Sequence, residues 1–117
     1  MQKLKQIHKM DCPYRLFFKA FSNQTRLKII SLLRKNSMTV TEICESTGFE
    51  QSRVSHNLKC LENCGFAIVT KNGNFRVYSL DKETIVPIVD LFGKHIEKYK
   101  DRLNSCEIIK NGSDASL

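Results

Sequence analysis

Residues 39–66 read TVTEICESTGFEQSRVSHNLKCLENCGF, a stretch whose pattern predicts two helices joined by a short turn that begins at Gly48. Thr39, followed three residues later by Glu42, fits a capping box, where a threonine hydroxyl and a glutamate carboxylate satisfy opposing backbone amides at a helix start. That start predicts a short helix from Val40 to about Thr47, which Gly48 is placed to end. Phe49, Glu50 and Gln51 then form the turn into a second helix, along which Val54, Leu58 and Leu61 recur at helical spacing before Gly65 closes it. Two short helices joined by a turn of about three to four residues containing glycine are the sequence form of a helix-turn-helix, whose second helix enters the major groove of DNA.

Upstream, the segment from about Pro13 to Phe21 spaces Leu16, Phe17, Ala20 and Phe21 as an amphipathic helix requires. Asn23 can cap a second helix, whose Leu27, Ile29, Ile30, Leu32 and Leu33 make a stripe broad enough for the central helix of the core. Downstream, Phe66–Lys71 and Asn74–Leu80 are rich in β-branched and aromatic residues and flank Asn72-Gly73. That pattern predicts a hairpin with a tight type I′ turn, its tip carrying Lys71 and Arg76. A long helical segment follows from Asp81 to about Leu103, with Ile85, Ile88, Val89, Phe92, Ile96 and Tyr99 on one stripe. Pro87 lies inside it, so the helix is expected either to kink there or to begin near it after a short turn. A terminal helix with so apolar a face needs a partner, and a two-fold dimer is the commonest solution. The predicted class is therefore α+β, mostly α: a winged helix-turn-helix with a two-stranded β-hairpin wing and a C-terminal dimerisation helix. Residues 1–12 form an N-terminal arm, 13–103 the domain, and 104–117 a flexible polar tail interrupted by Cys106-Glu107-Ile108-Ile109.

A chain of 117 residues is about one domain. Its 19 Lys and Arg against 12 Asp and Glu give a net charge of +7 and call for an acidic partner. Nucleic acid and an anionic membrane surface both satisfy that charge, but no apolar run approaches the roughly 18 residues a membrane span needs. The N-terminus MQKLKQIHKMDC lacks the apolar core of a secretion signal, so a cytoplasmic location with reduced thiols is expected. Five cysteines, an odd number, read better as reactive or metal-binding groups than as a disulfide framework, although for any single one of them a small buried hydrophobe is the favoured reading. No nucleophile–base pairing, phosphate loop or paired acid motif supports an enzyme, and no organic cofactor is implied.

With Val54, Leu58 and Leu61 turned to the core, Gln51, Ser52, Arg53, Ser55, His56 and Lys59 are left for solvent or DNA. Gln can pair with adenine and Arg with guanine, while Ser and Lys suit phosphate oxygens. Together with Lys71 and Arg76 of the wing these are the candidate DNA contacts. Cys60 and Cys64 lie four apart at the end of the same helix, which puts their Cβ atoms about 5 to 6 Å apart, a gap a soft metal can bridge with sulfur bonds of about 2.3 Å. The residues alone leave open that the pair merely packs beneath the wing. The negative end of the helix dipole favours a bound cation and disfavours free thiolates, so metal binding should release protons.

Helices, helix-turn-helix, hairpin and terminal helix in this order resemble the ArsR/SmtB family of winged-helix repressors. FSNQTRLKIISLL is similar to the family's second helix, with Asn23-Gln24-Thr25-Arg26 against an aspartate-proline-threonine-arginine pattern from which the first two positions depart. QSRVSHNLKCLENCGF resembles its recognition helix and VTKNGNFRVYSL its wing, so that the likeness covers about residues 14–103; Glu50 stands where relatives carry a serine cap. The resemblance implies a homodimeric, metal-responsive repressor of a double-stranded operator with an inverted repeat. Within the family the chain looks most like the CmtR-type cadmium and lead sensors. That likeness implies three thiolate ligands, Cys60 and Cys64 from one subunit and Cys106 from the other, with cadmium or lead as inducer ahead of zinc or arsenite. Cys44 occupies the first cysteine of the family's third-helix metal motif, but Ser46 stands at the second. Cys12, with His8 four residues before it, would be the partner of Cys44 in a second site. His95 with Asp90 resembles part of the family's terminal-helix zinc site without its remaining histidine, and is expected at the surface or the dimer interface. A rival reading keeps the fold and makes the thiols a redox or persulfide switch.

Overall fold

The computed structural model describes residues 13–112. Two compact units succeed one another, the first ending at Asp81 and the second beginning at Lys82. The first holds helix α1 (residues 13–21), α2 (Gln24–Lys35), α3 (Val40–Thr47) and α4 (Gln51–Asn63), then strands β1 (Ala67–Asn72) and β2 (Phe75–Leu80). Ile29, Ile43, Val54, Leu58 and Leu61 are its fully buried centre, each worth about 1.5 to 3 kcal/mol of burial. Leu16 and Leu27, read from their spacing as apolar-face residues, are instead 62% and 45% exposed.

Local signals set the helix ends. The Asn23 side chain accepts the Arg26 amide at 3.0 Å, and Thr39 and Glu42 form the complete capping box at 3.2 and 2.9 Å. Gly48, at φ 76°, ends α3 in the left-handed conformation, and Glu50 makes no side-chain cap for α4. At the far end of α4 the Phe66 amide donates to the Leu61 carbonyl (2.9 Å) and the Gly65 amide to that of Glu62 (3.1 Å), a Schellman closure that needs the left-handed backbone of Gly65. Phe66 is thereby turned under α1, where its ring lies 5.2 Å from that of Phe17 and 4.8 Å from that of Phe21.

β1 and β2 pair antiparallel from Ala67↔Leu80 to Asn72↔Phe75. The turn is displaced by one residue from the sequence expectation: Gly73 and Asn74 occupy its centre, and only Gly73 has a positive φ (65°). Type I′ needs positive φ at both central positions, so the sign pattern is that of a type II′ turn, with glycine first. The base of the hairpin is tied to the loop before α3 by two hydrogen bonds between Met38 and Tyr78, at 3.0 and 2.8 Å.

The second unit holds α5 (Ile85–Asn104) and a short helix, α6 (Glu107–Lys110). Helix α5 begins near the proline, so Pro87 sits in the first turn, where its missing amide has no intrahelical acceptor to lose. The one irregularity is Tyr99, at φ −120° and ψ 19°. Of the predicted stripe, Ile85 is buried and Ile88, Val89 and Tyr99 are half-buried, whereas Phe92 and Ile96 stay exposed beside Leu91 and Leu103. Among the described residues no helix is long and apolar enough to cross a membrane.

Candidate nucleic-acid interface and thiol pair

Helix α4 is backed by the core and open on its other side. Gln51, Ser52, Arg53, Ser55, His56 and Lys59 are all exposed, the donor-rich face expected from the spacing of Val54, Leu58 and Leu61. Arg53 is distinct within this row. Its Nε and Nη2 donate to Thr25 Oγ1 at 2.9 and 2.6 Å, and its Cζ lies 3.8 Å from the centre of the Phe49 ring. The guanidinium is thus folded onto α2 and the α3–α4 turn, where it holds the start of α4 in place. Lys59 lies 3.8 Å from Glu62, a pair with an exposed cation and a half-buried carboxylate at the surface, worth little. On the wing, Lys71 and Arg76 stand directly opposite one another, both exposed.

A polar tie that the sequence reading did not find runs behind this face. Arg26 Nε donates to the Ala20 carbonyl at 2.7 Å and Nη2 to that of Lys19 at 3.3 Å, at the C-terminal end of α1 where a cation is favoured. Its Nη1 donates to Asn57 Oδ1 at 3.2 Å, and Asn57 Nδ2 donates back to the Arg53 carbonyl at 2.8 Å. Asn57 is buried, and a buried amide without partners costs on the order of 1 to 3 kcal/mol. The signal was present: Asn57 falls three after Val54 and four before Leu61, a polar residue within the core-facing stripe.

Cys60 and Cys64 meet at the end of α4. Cys64 is the C-cap, and its amide donates to the Cys60 carbonyl at 3.0 Å, so the helical register persists through both thiols. Cys60 is half-buried and Cys64 exposed. Partial burial raises the Cys64 thiol above its ordinary range, as do the adjacent Cys60 and their mutual hydrogen bond, while the Arg26 charge pulls the other way. The remaining thiols lie elsewhere. Cys44 is half-buried on α3; Cys12 and His8 lie outside the described residues. Cys106 is half-buried at the N-cap of α6, along a groove of about 390 Å³ that also involves Tyr99, Arg102 and Ile109. His95 is exposed, its ring 4.8 Å from that of Tyr99. Among the described residues no three His, Cys, Asp or Glu side chains are gathered within one chain in a way that could hold a metal ion.

The profile of the family described as "Bacterial regulatory protein, arsR family" matches residues 23–69, from the cap of α2 into β1. Over 75 residues the chain is 35% identical to the uncharacterized HTH-type transcriptional regulator MJ1325 of Methanocaldococcus jannaschii, covering 63% of this chain and 84% of that one. The chain belongs to the arsR family. Its helices α2 to α4 and β1 are the part the profile spans, and the family is one of regulators, not enzymes. Two further relatives are the HTH-type transcriptional regulator NmtR of Mycobacterium tuberculosis, 37% identical over 61% of this chain, and the probable mercury resistance operon repressor of Streptomyces lividans, 33% identical over 64%. The matches take in 59% and 60% of those two proteins' lengths. The winged helix-turn-helix architecture is that of Mb0332 from Mycobacterium bovis, whose structure superposes with a TM-score of 0.74 over 81% of this chain and 88% of that one at 22% identity.

Proposed function

We propose that this arsR-family chain is a homodimeric transcriptional repressor, acting in the cytoplasm, that binds an inverted-repeat operator and releases it when a soft metal ion is held by Cys60, Cys64 and Cys106. The observation that carries the DNA reading is the exposed face of α4, with Gln51, Ser52, Ser55, His56 and Lys59 on a helix whose opposite side is fully buried. Side chains of these types read base edges and phosphates, and the net charge of +7 supplies the attraction. Arg53 serves this face by positioning α4. The dimer rests on apolar side chains left exposed on α5, namely Leu91, Phe92, Ile96 and Leu103, and on α1, namely Tyr14, Leu16 and Phe18.

The donor set fits a soft metal. Two thiols four residues apart, one exposed and one half-buried, are reachable and share one helix end. Two thiolates from one chain leave such an ion under-coordinated, and the partner copy's tail thiol completes the set. A bound ion would be held by these three thiolates and would tie the end of α4 to the partner copy's tail. Three thiolates suit a soft ion, and cadmium and lead lead on the resemblance to the CmtR-type sensors, with zinc and arsenite behind; the Streptomyces lividans relative is named for mercury resistance. Release follows from linkage: an ion that binds the DNA-free form better must weaken DNA binding by the same factor. On this chain the thiol pair lies next to Phe66, which packs the end of α4 against Phe17 and Phe21 of α1. A disulfide between Cys60 and Cys64 is the poorer alternative, because helical Cβ atoms about 5 to 6 Å apart exceed the roughly 3.5 to 4.5 Å a disulfide spans.

The test titrates cadmium, lead, zinc and arsenite into reduced protein while following sulfur-to-metal absorbance together with affinity for a duplex selected from a random pool. Metal binding and DNA release should share one stoichiometry. A variant with all three cysteines replaced by serine should still bind the duplex and ignore the metal; if cadmium still dissociates it, the site is elsewhere.

A further inference from the structure

We propose that Phe75 is an apolar wedge at the tip of the wing, which enters the minor groove of the bound duplex and partly unstacks a base step. This deepens the DNA-binding reading above and rests on it. Phe75 is 67% exposed, more than any other large hydrophobic side chain among the described residues. It sits beside the turn, opposite Asn72, and Gly73 next to it carries no side chain, so Phe75 is the bulkiest group at the end of the ribbon. The left-handed backbone of Gly73 (φ 65°) keeps that end narrow.

The neighbouring rung says what covers it. Lys71 and Arg76 face each other directly, and like charges so placed on a hairpin destabilise it unless a counter-charge arrives. Alternation places this cationic pair on the same face as the Ala67↔Leu80 and Val69↔Tyr78 pairs, the face that packs on the core at its base, while Phe75 lies on the outer face with Ile68 and Val77. The tip therefore presents two cations on one side and an aromatic ring on the other, and around it a notch of about 260 Å³ is lined by Lys71, Gly73, Asn74, Phe75 and Arg76. A minor groove about 6 Å wide admits such a tip but not the breadth of the ribbon, and its phosphate walls supply the missing counter-charge. Apolar side chains inserted there kink the duplex. A neutral protein surface would satisfy the ring and leave the facing cations uncompensated.

The experiment uses the full chain and a selected duplex, with end-to-end energy transfer for bending and 2-aminopurine fluorescence for unstacking. The wild-type protein should bend the duplex and raise the fluorescence at one step per half-site. Phe75→Ala should bind roughly 10- to 100-fold more weakly, the scale of one large apolar side chain no longer buried, and leave the duplex straight with its salt dependence unchanged. Phe75→Leu should retain the bend. Lys71→Ala should keep the bend and reduce the salt slope by about one. Bending by Phe75→Ala equal to wild type, or a wild-type complex with straight DNA, overturns the wedge while leaving DNA binding intact. Sedimentation showing that Phe75→Ala loses self-association overturns it in favour of a protein contact. Absence of any salt-sensitive duplex binding by the wild type removes the parent reading and the wedge together.

Discussion

Replacing Arg26 by methionine removes the guanidinium but keeps an apolar stem, and it isolates the tie between α1, α2 and α4. Three hydrogen bonds disappear: to the Ala20 carbonyl at 2.7 Å, to Asn57 Oδ1 at 3.2 Å and to the Lys19 carbonyl at 3.3 Å. A bond from a charged donor is worth about 1.5 to 3 kcal/mol, which suits the short one, whereas the two longer ones belong at about 0.5 to 1 kcal/mol each. Arg26 is only half-buried, so solvent takes back part of the sum, and we expect a net loss of about 2 to 4 kcal/mol. That is a large share of the roughly 5 to 15 kcal/mol typical of a domain. In urea, with a slope of about 1 to 2 kcal/mol per molar, the midpoint should fall by about 1 to 4 M at fixed protein concentration. Asn57→Ala should also destabilise, and the double variant should lose about 1 kcal/mol less than the sum, because the two side chains share a bond. A midpoint shift for Arg26→Met below about 0.3 M, or strict additivity with Asn57→Ala, would show that the tie does not hold the helices together.

Other perturbations read different parts of the fold. Gly65→Ala puts a side chain on a left-handed residue (φ 78°) with open space around it, so the cost is backbone strain alone, about 1 to 2 kcal/mol; a thermal melt unchanged from wild type contradicts it. Lys71→Ala relieves the facing charges and should stabilise the free protein by about 0.2 to 1 kcal/mol while weakening duplex binding, so a loss of both stability and affinity argues against the like-charge rung. The Cys64 thiol, raised chiefly by burial and then by Cys60, keeps its proton longer when folded than when unfolded. Stability is therefore full below the unfolded thiol's range, near pH 8.5, and declines as pH rises above it, and Cys64→Ser should flatten that slope in urea midpoints measured from pH 7 to 10. The same proton must leave when metal binds, so calorimetry in buffers of different ionisation enthalpy should report proton release at neutral pH that falls as pH rises.

Signals that act within a few residues were legible in the chain by itself. Asn23, the Thr39–Glu42 box, Gly48 and Gly65 each set a helix end through bonds spanning five residues or fewer, and the spacing of Val54, Leu58 and Leu61 decided which side of α4 is buried and which is left exposed. The four-residue interval between Cys60 and Cys64 likewise needed only helical geometry. Tertiary structure decided what depends on distant partners. The Arg26–Asn57 bond joins positions 31 apart, and Arg53–Thr25 positions 28 apart, so no local pattern marks Arg26 as a tie or shows that Arg53 is bonded to α2. The hairpin register is of the same kind. Asn72-Gly73 advertises one turn, but the turn observed lies one residue on, in a hairpin whose Tyr78 is also bridged to the distant Met38. Moving a two-residue turn by one position shifts each cross-strand partner by two and leaves every side chain on its own face, so the alternation along the strands is the same for both turns, and the pairing is decided by contacts with residues far from the turn.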